Sequence, residues 1–435
     1  MDTDHQSAAA TLVLFTLWLV VFSFASQVMI IAPILPRIAE GLDTSVELLG
    51  TLITAYALAV GAFALAVGPV SDRFGRRRVL LAGSALMAVA LALHGLVGSF
   101  AELFVARALA GCAGGVLNGA AIAYVGDYFP RERRGWAAGW VLSGVAAGQI
   151  AGIPLGVVLA DAFGFRAPFL AFAVVMVVAS GLVWRVLPEP TVERAPRGLS
   201  FRGAVDGYLG LLREPGVAAA ALLFGLLFFS FPLYFAFLPL LLEARFEATG
   251  AAVALLFFVG GVANVVAGPE AGRLSDRLGR KPVVVAASAA VGGLMALTPV
   301  ALVALWPVYV VFFVTMALVA SRSSPFQALV TELVGDDRRG SLMSLTAATG
   351  QVGFALGGAL SGPVFAGAGY GASAALAGAS ALAFAVVAHR YLPEPFDPKP
   401  VVERTVTRCA DAFCGPLDEG GHGVGEAATD HPARR

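Results

Sequence analysis

Charge is what this chain of 435 residues has least of. Asp, Glu, Lys and Arg make up 13% of it, about half the share of an ordinary soluble domain. So few charges could not cover a water-facing surface of that extent. The 29 basic and 29 acidic residues cancel, so the balance offers no basic excess for nucleic acid. Cysteine is scarce and scattered, at Cys112, Cys409 and Cys414, which excludes a disulfide framework. Cys409 and Cys414, with His422 nearby, fit no standard zinc spacing and read as free thiols. No G-x-x-x-x-G-K-[ST] loop occurs, so no ATP-binding motif supplies energy. His, Asp and Cys do not converge within the apolar segments, so no metal, no cofactor and no enzymatic site is expected. The start, MDTDHQSAAA, is acidic and lacks the positive n-region of a cleavable signal.

What the chain has instead is apolar length. Hydrophobic residues make up 58%, and the mean hydropathy is +0.82. A helix needs about 20 largely apolar residues to cross hydrocarbon. Twelve such stretches run near 11–35, 47–69, 79–99, 101–126, 136–160, 167–187, 216–242, 250–270, 282–304, 307–331, 341–366 and 370–392. Helices are the spanning form that leaves every backbone group satisfied within its own segment. The 51 glycines suit close helix approach in lipid, where apolar area alone drives little association. With the N-terminus inside, the inner loops collect eighteen basic residues, among them Arg76, Arg77, Arg78, Arg133 and Arg134. The outer loops hold only Arg37, Arg166 and Arg245. Basic residues concentrate on the cytoplasmic side, so both termini are expected there, in a cell membrane.

The sequence also repeats. GPVSDRFGRRR from Gly68 recurs as GRLSDRLGRK from Gly272, 204 residues on. Arg134-Gly135 recurs as Arg339-Gly340, and Leu187-Pro188-Glu189-Pro190 as Leu392-Pro393-Glu394-Pro395, both after 205. Gln149 and Gln351, each in a Gly-rich helix, are 202 apart. Such an offset implies two halves of six helices in parallel orientation. The expected organisation is a cytoplasmic N-terminus 1–10, a bundle 11–187, a cytoplasmic loop 188–215, a second bundle 216–395 and a disordered tail 396–435. The fold class is therefore an all-α membrane protein of twelve transmembrane helices in two pseudo-symmetric bundles. The tail is polar, with too little apolar surface to offset ordering entropy.

The G-x-x-x-D-R-x-G-R-R loop between the second and third spans, with its copy between the eighth and ninth, resembles the signature of the major facilitator superfamily. The similarity covers about residues 11–395 and points to its twelve-span drug:proton antiporter-like branch, which includes multidrug and sugar-efflux exporters. Arg107-Ala-Leu-Ala-Gly111 is similar to that family's R-x-x-Q-G motif, with Ala110 in place of Gln. Gly144, Gly148, Gly152, Pro154 and Gly156 resemble its Gly/Pro-rich antiporter motif. The resemblance implies an alternating-access carrier for a small molecule, embedded in the lipid bilayer, coupled to protons and working as a monomer. It also implies that Gly68, Asp72, Arg73, Gly75, Arg76 and Asp127 latch the cytoplasmic side, with Gly272, Asp276, Arg277 and Gly279 as the second copy. Arg73 is expected to reach Asp127. A positive anchor loop around a tight turn is the alternative reading of the same residues.

Arg107 and Arg322 lie at membrane depth, where a guanidinium marks function unless it snorkels to the interface. Arg107 carries the family's implied part in coupling or substrate binding, and Arg322 divides between cavity residue and anchor. Tyr234 belongs to a Phe-rich seventh span whose aromatic residues go right round the helix, so packing accounts for most of them. Gln149 and Gln351 are polar groups at depth, suited to bonding between helices or to touching cargo. His94 reads as a packed residue. The span interiors lack Asp and Glu. Two arginines without a buried acid favour a neutral or anionic cargo over a cation. Sugar or metabolite export, an uncoupled facilitator, and a membrane sensor on the same scaffold remain open.

Overall fold

In the computed structural model, residues 2–189, 201–335 and 338–393 are described, with backbone alone at 2–9, 66, 68–70, 72–73, 118, 201–206 and 301. The chain divides into the units Met1–Pro395 and Phe396–Arg435. The expected disordered tail lies outside the described residues.

Every described element is a helix: α1 (Asp2–Met29), α2 (Leu35–Leu42), α3 (Val46–Phe74), α4 (Arg76–Leu93), α5 (Phe100–Tyr128) and α6 (Arg134–Ala147) come first. A π-turn (Gly148–Gly152) then leads into α7 (Ile153–Phe163), α8 (Ala167–Val186), α9 (Phe201–Leu212), α10 (Pro215–Phe235), α11 (Leu238–Phe246), α12 (Gly250–Leu278), α13 (Arg280–Ala301), α14 (Leu305–Thr331) and α15 (Arg339–Tyr391). Ten helical stretches are long and apolar enough to cross a membrane. The 53-residue α15 is two helices broken at Gly369 (φ 76°), which makes eleven. The 18-residue α4, which opens on three arginines and is not among the ten, supplies the twelfth. The first helix, α1, begins at Asp2, and α9 lies within the stretch between the two bundles.

The spans alternate between two faces. The terminal face carries the start of α1; the far face carries α2 and α11. Within the first half α3 packs on α5, α4 lies between α5 and α8, and α1 lies between α6 and α8. In the second, α10 packs on α15, α12 on α14, and α13 touches α14 and α15. The halves meet along two seams, α3 against α15, and α7 with its π-turn against α12.

The repeat is written into the backbone. Among the described residues, six have positive φ: Asp43, Gly75, Gly164, Glu247, Gly279 and Gly369. They form three pairs, Asp43 with Glu247, Gly75 with Gly279 and Gly164 with Gly369, each at the sequence repeat's own spacing. Gly75 and Gly279, at φ 96° and 91°, turn the chain through a region closed to residues with a Cβ. A Cβ at Gly75 would also lie 1.9 Å from Glu189 Oε1.

Small residues set the spacing of the helices. Gly144, Gly148, Gly152 and Gly156, four residues apart, face α1. Cβ atoms there would lie 2.9 Å from Trp18 O, 3.1 Å from Ser26 N, 2.1 Å from Ser26 Oγ and 1.6 Å from Ile30 Cδ1. Pro154 stands in the first turn of α7, two residues past the π-turn. Large side chains fill the interior of the second half. Phe224 meets Phe326 at 5.0 Å between ring centroids, Phe326 meets Phe384 at 5.0 Å, and Phe235 meets Phe312 at 5.7 Å.

Candidate functional site

Two full charges are buried among the described residues, and both are arginines: Arg107 at 1% exposure and Arg322 at 0%. Leaving a guanidinium in low dielectric costs several kcal/mol, roughly, unless it is paired. Arg107 lies seven residues into α5 from the far face, about 10 Å deep. Its Nη1 donates to Gln27 Oε1 of α1 (3.1 Å), whose Nε2 donates to the Tyr56 hydroxyl of α3 (3.1 Å). Its Cζ stands 4.5 Å from the centroid of the Tyr56 ring. Three helices thus hold one cation by hydrogen bonds and a π face, without a carboxylate. Gln27 and Tyr56 escaped the sequence reading. A glutamine inside the first span was the signal for one; for the other there was none.

The second half builds this place differently. At the repeat's spacing, Gly260 stands for Tyr56 and Phe312 for Arg107, and a Cβ on Gly260 would lie 2.3 Å from the Phe312 ring. The second half's arginine sits ten residues further along α14, nine before the helix end at Thr331. Arg322 Cζ lies 5.2 Å from the Phe384 centroid, and its Nε, Nη1 and Nη2 have no hydrogen-bond partner. Each half therefore buries one arginine on equivalent helices, Arg107 towards the far face and Arg322 towards the terminal face. They are not brought together.

Tyr234 is buried in the second half, where its hydroxyl meets Thr298 Oγ1 at 2.9 Å and its carbonyl accepts from the Tyr370 hydroxyl at 3.1 Å. His94 contacts the Ala90 carbonyl through Nδ1 (2.6 Å) and packs on Phe169. Gln149 and Gln351 sit at the two seams. A Cβ on Gly261 would lie 3.4 Å from Gln149 O, and one on Gly61 would lie 3.2 Å from Gln351 Cβ.

On the terminal face, Arg76 Nε pairs with Asp127 Oδ2 at 2.7 Å, and Arg76 Nη1 donates to Ser71 Oγ at 3.0 Å. The second copy repeats the arrangement with Arg280 on Glu332. Asp127 thus takes Arg76, as the turn at Gly75 aims the first residue of α4 back at the end of α5; the expected reach of Arg73 to Asp127 lies outside the described side chains. The side chains of Gly68, Asp72 and Arg73 lie outside the described set. Gly272 is half-buried, and Asp276 and Arg277 are exposed. Arg338 pairs with Glu214 at 2.5 Å. Each of these pairs joins elements of one half, so none of them ties the halves together.

Ties between the halves gather towards the far face. Thr54 Oγ1 donates to the Ala355 carbonyl at 2.9 Å. Cβ atoms on Gly50 and Gly362 would lie 2.2 Å from Gly358 O and 2.3 Å from Glu47 O. Arg37, on α2, sits in a group of three acids: Nε to Asp161 Oδ1 at 2.8 Å, Nη1 to Glu243 Oε2 at 3.4 Å and Nη1 to Glu40 Oε2 at 3.7 Å. Partial burial works against its charge, but the Asp161 hydrogen bond and the charges of Glu243, Asp161 and Glu40 outweigh it and raise its pKa. These contacts join the halves towards the far face.

The family model of the Major Facilitator Superfamily matches residues 17–260 and again 229–408. An uncharacterized MFS-type transporter, YwfA, of Bacillus subtilis is 24% identical over 352 residues, 81% of this chain and 85% of that one. The multidrug resistance protein MdtG of Enterobacter lignolyticus is 28% identical over 224 residues, so the chain spans about half the length of that relative, 52%. Among solved structures, the crystal structure of a D-xylose-proton symporter superposes with a TM-score of 0.73 at 17% identity, covering 88% of this chain and 98% of that one. With its doubled six-helix architecture and matches over both halves, the chain belongs to the major facilitator superfamily of membrane transporters.

Proposed function

We propose that the protein is a proton-coupled exporter of a small hydrophobic compound, neutral or anionic. It lies in the cell membrane with both termini cytoplasmic and works as a monomer. One observation supports the transport cycle: the described ties between the halves gather towards the far face, as in one of the two states that alternating access requires. The eighteen basic residues of the terminal-face loops support a cytoplasmic location for that face. Arg76 with Asp127 and Arg280 with Glu332 then frame the cytoplasmic mouth. Asp72, Arg73, Asp276 and Arg277 belong to the latch that forms when this mouth shuts. Cargo class follows from charge. The buried charged side chains among the described residues are arginines, which attract anions and repel cations. Kinship with multidrug resistance proteins supports export of drug-like molecules, by carrier action rather than by catalysis.

The test is uptake into everted vesicles of matched anionic, neutral and cationic compounds, with and without a pH gradient. Gradient-dependent accumulation of the first two classes supports the reading. Robust accumulation of cations alone overturns the cargo class, and uptake indifferent to collapse of the gradient removes proton coupling.

A further inference from the structure

Arg37 and Glu243 occupy the one place where a described ion pair crosses between the halves. Glu243 and Glu40 are mates by place, each five residues past the first residue of α11 and α2, helices that begin alike after Phe237 (φ −105°) and Ile34 (φ −100°) and end alike at Glu247 and Asp43. A single guanidinium stands between these mates, its Nη1 3.4 Å from Glu243 and 3.7 Å from Glu40. Asp161, also of the first half, holds Nε at 2.8 Å. The carboxylate of Asp161 rests against the start of α12: a Cβ on Gly250 would lie 1.5 Å from its Oδ2.

The arrangement is lopsided. When the far mouth parts, Arg37 leaves with Asp161 and Glu40, both on its own half, and remains paired. Glu243 loses its cation. The charges that act on it are Arg37, Asp161 and Glu40; Arg245 on its own helix is turned onto Phe246, and Arg166, which lines the same cleft as Arg37 and Asp161, donates to the Val97 carbonyl. A carboxylate that has lost its counter-charge takes up a proton more readily than one paired with arginine.

We infer that Arg37 and Glu243 form a pH-sensitive clasp on the far mouth, closed when Glu243 is ionised and released when it is protonated. This rests on the reading that the halves rock. The proton comes from the far-side water and returns to it on closure. It therefore sets the pH at which the mouth opens and is not the proton carried across. Acidifying the far side favours opening, and the half that lets go is the second.

The experiment is a spin-label distance between Leu96→Cys and Val303→Cys, exposed positions on the far-face connections of opposite halves. Full-length protein in lipid nanodiscs is used, with Cys112, Cys409 and Cys414 changed to Ser. As the pH falls from about 8 to about 5, the open population should grow about threefold to fivefold, the range a partly exposed ion pair supports. Glu243→Gln should give the open-shifted distribution at every pH. Glu102→Gln, a far-face acid outside the clasp, should respond like the parent. A Glu243→Gln protein that keeps the parent's pH response overturns the clasp, while gradient-driven transport by the same protein in sealed proteoliposomes would leave the transporter reading standing. A distance that never changes, in any variant at any pH, strikes both the clasp and the rocking beneath it.

Discussion

The guanidinium of Arg107 lies 4.5 Å from the centroid of the Tyr56 ring, and the place equivalent to this pair in the second half is filled by Phe312 over Gly260. The duplicated scaffold has kept a cation in one half and exchanged it for an apolar contact in the other. The backbone keeps the repeat here while the buried charge does not.

Arg107→Met should leave thermal unfolding in detergent within a few degrees of the parent, since an apolar residue of similar volume replaces a buried ion at little cost. Transport should fall at least about tenfold, the equivalent of roughly 1.4 kcal/mol. Arg107→Lys should not restore it, because a lysine cannot both lie over Tyr56 and present a planar fork to Gln27. Tenfold or greater recovery with lysine would show that charge alone suffices there.

Arg322 makes the opposite prediction for stability. None of its three nitrogens has a partner, so Arg322→Met removes an uncompensated cost and should raise unfolding stability by about 1–3 kcal/mol. Thermal or denaturant unfolding of the purified protein measures this. A fall in stability would mean that the guanidinium is paired in the resting protein.

Two glycines separate packing from gating. A Cβ on Gly353 would lie 2.1 Å from Gly225 O within the second half, and one on Gly50 would lie 2.2 Å from Gly358 O across the seam. Both obstacles are backbone and cannot rotate away. Gly353→Ala should destabilise the fold by about 1–3 kcal/mol, as overpacking does. Gly50→Ala should leave unfolding nearly unchanged and open the far mouth, read as faster labelling of a cysteine at Thr54 by an impermeant reagent. Equal effects of both on stability would deny that the Gly50 contact is made and broken in the cycle.

The terminal-face pair is checked by exchange. Asp127→Arg and Arg76→Asp should each impair transport, and the double exchange should recover a substantial part of it, because the two groups meet directly at 2.7 Å. Failure of the double variant to exceed either single one would mean that each acts through a different partner.

The spans, the repeat and the turns at Gly75 and Gly279 were legible because they follow from local rules, apolar run length and a backbone that only glycine tolerates. The break at Gly369 was legible as the short gap between the last two spans. The partners were not legible. Asp127 meets Arg76 because the turn at Gly75 aims the start of α4 at the end of α5, a relation that run length does not encode. Gln27 and Tyr56 converge on Arg107 from sequence separations of 80 and 51, which no periodicity encodes. Arg37 looked like one of three stray positive charges on the outer side. Its place between Glu40 and Glu243 exists only once α2 and α11 are folded against each other.

The central claim is that the far-face contact opens and closes in each transport cycle. Thr54 and Ala355 face each other across that seam, 2.9 Å from hydroxyl to carbonyl. Thr54→Cys with Ala355→Cys, joined by a short bifunctional thiol reagent in a background lacking Cys112, Cys409 and Cys414, fixes the far mouth shut. Efflux from loaded cells should be lost on cross-linking and return when a cleavable linker is cut. Efflux that continues undiminished with the link complete would contradict the account.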